Sequence, residues 1–116
     1  TEHQRDEMKV EVLAYVHERF ADSAMSLEYL AERFGFSNFF WSRYFKDVIG
    51  QNFNDYVWIL RLERAKQLLA TSMPIAEVVE SVGYIDVRSF TRRFKNSTGV
   101  TPAQYKKEQS AKLSQE

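Results

Sequence analysis

LEYLAERFGF, residues 27–36, returns 48 positions later as IAEVVESVGY, and no other feature constrains the fold of this chain as tightly. Leu27 pairs with Ile75, Leu30 with Val78, Phe34 with Val82 and Gly35 with Gly83. After the glycine the offset becomes 49, so the second turn is one residue longer. Trp41 then falls on Phe90, Arg43 on Arg92, Phe45 on Phe94, Lys46 on Lys95, Gly50 on Gly99 and Tyr56 on Tyr105. Helical amphipathicity alone produces some apolar coincidence, but a shared Gly, an Arg and a Phe-Lys pair are not products of periodicity. Two copies are too few for a solenoid. A duplicated supersecondary unit is what remains.

The local signals say what that unit is. Met8, Val12, Leu13, Tyr15, Val16 and Phe20 recur at helical spacing over residues 6–20. Ser26 stands where an N-cap would, ahead of the stripe Leu27, Leu30, Ala31 and Phe34, and Gly35 ends that helix. Ser37 or Asn38 opens the next helix, which Gly50 closes. Helix, three-residue turn, helix is the result. Residues 53–70 carry Phe53, Tyr56, Val57, Leu60, Ala65, Leu68 and Leu69 without a breaker, a helix of about 27 Å. Trp58 within it is either core or the exposed seam between the halves. Pro74, then Asp86 ahead of VRSFTRRFKNST, then Thr101-Pro102 start three further helices, the last a short one through Tyr105.

No segment alternates with period two. The expected fold is all-α, two helix-turn-helix subdomains joined by a long central helix, with about seven helices in all. The expected divisions are 1–50 (N-terminal helix and first helix-turn-helix), 51–72 (connecting helix), 73–108 (second helix-turn-helix and C-terminal helix) and 109–116 (a disordered tail).

Composition narrows the function by exclusion. There is no Cys, so disulfides and thiolate metal sites are ruled out. No apolar run reaches the roughly 20 residues of a membrane helix, and no basic-then-apolar signal opens the chain, so the expected location is the cytoplasm. His3 and His17 have no second ligand at metal spacing, and no Ser/His/Asp set or glycine-rich phosphate loop is present. Enzymatic activity, a cofactor and a metal are therefore not expected. The formal net charge is zero, which for a whole chain argues against nucleic acid. Its distribution argues the other way: residues 1–25 hold six acids and three bases, whereas residues 83–107 hold one acid, Asp86, and six bases.

A helix-turn-helix sets its second helix in the major groove, and two such helices held apart by a stiff connector could enter successive grooves some 34 Å apart. A single chain would then read two unequal half-sites. The residues LEYLAERFGFS and SRYFK in the first half, with IAEVVESVGYID and SFTRRFKNSTGVTPAQYK in the second, are similar to the DNA-binding domain of the arabinose-regulator (AraC/XylS) family of bacterial transcription regulators. The likeness spans about residues 8–107, and the pattern G-Y followed by S-F-x-R-x-F-K-x-x-x-G-x-T-P-x-x-Y is its most specific part. It implies a sequence-specific double-stranded DNA-binding domain. It also implies a sensing or dimerisation domain missing from this chain, and RNA polymerase as a further partner. The competing reading is a helical protein-interaction module that keeps the tandem fold without binding DNA.

Site residues follow from helix geometry and the repeat. Val87, Arg88, Thr91 and Arg92 share one face of the second recognition helix, while Phe90 and Phe94 point to the core. Arginine grips guanine O6 and N7 in a bidentate pair, and threonine meets either a polar edge or a thymine methyl. Arg93, Lys95 and Lys106 are expected at phosphates. In the first unit the matching positions are Asn38, Phe39, Ser42 and Arg43, with Phe40 at the edge and Lys46 matching Lys95. Trp41 and Phe45 are expected in the core, and Tyr44 half-exposed with its hydroxyl free to reach a phosphate. Phe39 and Phe40 form an outward apolar pair suited to thymine methyls.

Overall fold

The computed structural model describes residues 2–115. Those residues form seven α-helices and no strand: α1 (Glu2–Arg19), α2 (Leu27–Phe34), α3 (Asn38–Tyr44), α4 (Phe53–Leu69), α5 (Ile75–Ser81), α6 (Val87–Thr98) and α7 (Pro102–Gln115). A single π-helical turn, Phe45–Ile49, prolongs α3. Most boundaries lie where the capping signals put them. Ser37, of the two candidates, caps α3: its Oγ accepts from the Phe40 N–H at 3.1 Å. Asn52 opens α4 by accepting from the Asp55 N–H at 2.8 Å. Thr101 and Gln104 form a reciprocal capping box on α7, with bonds of 3.1 and 2.8 Å. Ser26 occupies the N-cap position of α2 but makes no side-chain bond there.

Two boundaries differ from expectation. α7 does not stop near Tyr105 but runs to Gln115, so the stretch after 108 is helical where a disordered tail was expected; residue 116 lies outside the described residues. The segment KKEQSAKLSQ lacks an apolar stripe, yet it is rich in residues of good helix propensity. The second difference concerns the connector. The chain divides into two compact units between Leu60 and Arg61, inside α4, so this helix contributes to both units.

In the first unit Val12 and Val16 of α1, Leu30 of α2, Trp41 and Phe45 of the α3 segment, and Phe53 and Val57 of α4 make one buried cluster. The π turn after α3 places the Phe45 carbonyl opposite the Gly50 N–H, an i to i+5 bond of 2.8 Å. In the second unit Leu62, Ala65 and Leu69 of α4, Val78 and Val79 of α5, Val82, and Phe90 and Phe94 of α6 are buried. Trp58 is buried as well, which settles it as core.

The repeat is visible in the packing. Phe45 meets Tyr56 edge-on with ring centroids 5.8 Å apart, and their counterparts Phe94 and Tyr105 meet edge-on at 5.7 Å. Such pairs contribute about 0.5–1.5 kcal/mol beyond the area they bury. The same joint is thus built twice.

Candidate nucleic-acid interface

Each recognition helix is fixed by what lies beneath it. Under α3, Trp41 is fully buried and its Nε1–H donates to the Gly35 carbonyl at 2.7 Å, tying the helix to its own turn. Gly35 has φ +86°, a conformation in which an L side chain would be strained. The next residue, Phe36, is also left-handed, at φ +68°. Its ring stacks on Phe40 at 4.2 Å and meets Trp41 edge-on at 6.1 Å. A residue just before the cap packing on the fourth helical residue is a hydrophobic staple, and here both partners are aromatic.

The second unit solves the same problem differently. Tyr84, the counterpart of Phe36, meets Phe90 edge-on at 5.5 Å. Arg61 lies over the Tyr84 ring at 5.5 Å. The one-residue lengthening of the turn is Ile85, and it projects into solvent with 87% of its surface exposed. Asp86 then caps α6. Its Oδ1 accepts from the Arg88 N–H at 3.1 Å and its Oδ2 from the Ser89 hydroxyl at 2.8 Å.

Those bonds to the charged form, Ser89 foremost and then the Arg88 amide, hold the Asp86 carboxyl below its ordinary value of 3.8. A carboxyl whose folded value is depressed stabilises the fold above its unfolded value, and that contribution is lost as pH falls through the folded value. Wild-type protein is therefore expected to lose part of its resistance to urea as acid is added below roughly pH 4. Asp86→Asn, which keeps a capping oxygen without the charge, is expected to lose less over the same range. Parallel urea titrations across that pH range, with equal acid losses in both proteins, would remove the cap as the source.

Above these anchors the expected faces are largely in place. Arg88 and Arg92 are exposed, one turn apart on α6, with Val87 exposed and Thr91 half-buried between them. Phe90 and Phe94 are fully buried on the other side. Lys95 is exposed, and Arg93 is half-buried and engaged in an interaction of its own. On the first unit Asn38, Phe39, Arg43 and Lys46 are exposed and Ser42 is half-buried. Arg43 lies 3.9 Å from Asp47 in a solvent-exposed pair, a contact of small worth that leaves the guanidinium free to move.

Three expectations are corrected. Phe40 is not part of an outward pair: it is half-buried, sandwiched by Phe36 and by Tyr44 at 6.1 Å, with Trp41 edge-on at 5.0 Å. Of the two, Phe39 alone faces out, 75% exposed. Tyr44 does not offer its hydroxyl to a phosphate. The oxygen is buried without a hydrogen-bond partner, and burial raises the phenol above its usual value. Lys106 is occupied within its own unit, donating to the carbonyls of Thr71 at 2.6 Å and Met73 at 2.9 Å. α4 has ended at Leu69, and the ammonium satisfies carbonyls of the loop that follows.

Two exposed residues were not foreseen as part of this surface. Phe36, 62% exposed, and Ile85 flank the starts of α3 and α6. The change of offset from 48 to 49 was the available signal for Ile85, since it marks an added residue in the turn. Among the described residues no group of His, Asp or Glu is placed to hold a metal ion. No described helix is long and apolar enough to cross a membrane.

Two helix-turn-helix units, each with a capped second helix whose outer face carries exposed arginine, Arg43 on α3 and Arg88 and Arg92 on α6, define a tandem helix-turn-helix DNA-binding domain. Residues 30–108 match the model of a helix-turn-helix domain family, and the chain belongs to that family, which is of AraC type. The chain is 32% identical over 102 residues to the uncharacterized HTH-type transcriptional regulator YijO of Escherichia coli K12, covering 87% of this chain and 36% of that protein. It spans about a third of the length of that relative. The crystal structure of the C-terminal domain of the two-component response regulator yesN from Fusobacterium nucleatum superposes with a TM-score of 0.83 at 35% identity, covering 86% of this chain and 98% of that one. The DNA-binding domain of AdpA, crystallised with a target DNA, superposes with a TM-score of 0.82 at 26% identity, covering 92% and 96% of the two chains.

Proposed function

We propose that this chain binds double-stranded DNA sequence-specifically as the DNA-reading part of a bacterial transcription regulator, with α3 and α6 each entering a major groove to read one half-site of the same duplex. The observation that carries the reading is the outer face of α6. Arg88 and Arg92 stand exposed one turn apart, over two phenylalanines that are fully buried. A cation pair on an anchored helix is a reading head for guanine edges, with Lys95 beside it for phosphate.

On this reading a sensing or dimerisation domain and RNA polymerase are the further partners, and Asn38, Ser42, Arg43 and Lys46 serve the first half-site. Lys106 supports the scaffold instead. Because the whole chain is neutral, affinity is expected to be moderate, with a salt slope set by a handful of phosphate contacts.

The test is a titration of this chain against a random-sequence duplex and against one recovered by unbiased selection, each at several salt concentrations. Binding should weaken with salt on both duplexes and be roughly a thousandfold or more tighter on the selected one. The neutral charge and the exposed Phe39 favour the competing reading, a protein-interaction module. Such a module would show no salt-dependent affinity for either duplex.

A further inference from the structure

Phe39 is the second residue of α3, and the repeat places it where α6 carries Arg88. It is 75% exposed, whereas its neighbours Phe36, Phe40 and Trp41 are locked in mutual ring contacts. The lock has a cost. Phe36 holds a left-handed backbone that glycine would adopt without strain, and an aromatic residue there costs on the order of 1 kcal/mol. Its exchange for firm footing under the start of α3 leaves Phe39 on a rigid base with its ring in solvent. The ring adds nothing to the buried cluster, so the fold does not account for it.

A phenyl ring neither donates nor accepts a conventional hydrogen bond, so it is blind to the donor and acceptor code of the groove. The apolar feature that a base pair shows in the major groove is the C5-methyl of thymine. We propose that Phe39 reads thymine methyl groups, so that the half-site under α3 is selected for methyls while the half-site under α6 is selected for guanine. This deepens the DNA-binding reading above and rests on it. The two units thus carry the same scaffold with different chemistry at one equivalent position, an aromatic ring in one and a guanidinium in the other.

Deoxyuridine keeps every hydrogen-bonding atom of thymidine and lacks only the methyl, which makes it the probe. A duplex recovered by unbiased selection is prepared in three forms: unaltered, with deoxyuridine replacing thymidine in one half-site, and with the replacement in the other. The half-site whose guanine preference is relaxed by Arg92→Ala belongs to α6. Replacement in the α3 half-site should weaken binding roughly four- to fifteenfold, the worth of burying one or two methyl groups. Replacement in the α6 half-site, where no aromatic ring stands on the reading face, should weaken it by less.

Phe39→Ala, at an exposed position outside the core, should retain its helical circular dichroism and bind the thymidine and α3-deoxyuridine forms alike. Selective binding by wild type that is indifferent to deoxyuridine under α3 overturns this proposal while leaving the DNA-binding reading standing. Absence of selective binding to the unaltered duplex overturns both.

Discussion

Trp41→Ala is expected to remove about 3–5 kcal/mol of stability, the cost of deleting a large aromatic from a packed core. Trp41 is fully buried and touches the rings of Phe34, Phe36, Phe40 and Tyr44. Its loss also leaves the Gly35 carbonyl without the indole donor, in the turn that sets the angle of α3. Against a total stability of about 5–15 kcal/mol for a small domain, that is a third or more of the whole over most of the range, and at its low end enough to unfold a large share of molecules. Trp41→Phe is the informative companion. The repeat already uses phenylalanine at the equivalent position, Phe90, so a smaller ring is compatible with this architecture. It should cost less than the alanine change, through the lost hydrogen bond and a partly filled cavity. Urea unfolding followed by circular dichroism measures both. Equal midpoints for wild type and Trp41→Ala would refute the anchoring role.

Arg92→Ala is expected to weaken binding to the selected duplex by about 1–3 kcal/mol, roughly 5- to 150-fold, and to relax the preference for guanine at one base pair. The size follows from a bidentate bond whose two acceptors, O6 and N7, are found together only on guanine. Arg92→Lys separates charge from geometry. Lysine keeps the attraction to phosphate but has no planar fork, so it should preserve affinity for random DNA and still lose most of the discrimination. Arg92 is exposed on α6, and its neighbours Phe90 and Phe94 hold the helix without it, so neither change should disturb the fold. Competition binding with duplexes varied at single positions reads the result. An unaltered preference at every position in the Arg92→Ala protein would show that this helix is not the reader.

How far these residues could be read from the sequence depends on whether their neighbours are local. The duplicated pattern located both helix-turn-helix units, and it placed Trp41, Phe45, Phe90 and Phe94 in the core because each copy checked the other. Caps such as Asp86 and Thr101 were legible because the group they satisfy lies two or three residues away. The direction of a side chain at the edge of a stripe was not. Phe40 turns onto Phe36 because of a left-handed residue in the turn, and nothing in the spacing of apolar positions reports a backbone sign. Lys106 finds the carbonyls of Thr71 and Met73 across more than thirty residues of chain, a meeting that only tertiary structure brings about. The length of α7 was hidden for a different reason. Its later turns are polar, so they carry helix propensity without periodicity.

The paired joints, Phe45 on Tyr56 and Phe94 on Tyr105, have a consequence for how such a protein changes over generations. In a symmetric homodimer every point mutation on a reading helix is made twice, so both half-sites must change together. Here the two copies are encoded separately within one gene. A substitution at Phe39 leaves Arg88 as it was, and each joint keeps its own helix seated while the outer face drifts. On the proposed reading, a protein of this build moves to a new DNA site one half at a time, the unaltered half still holding while the other changes.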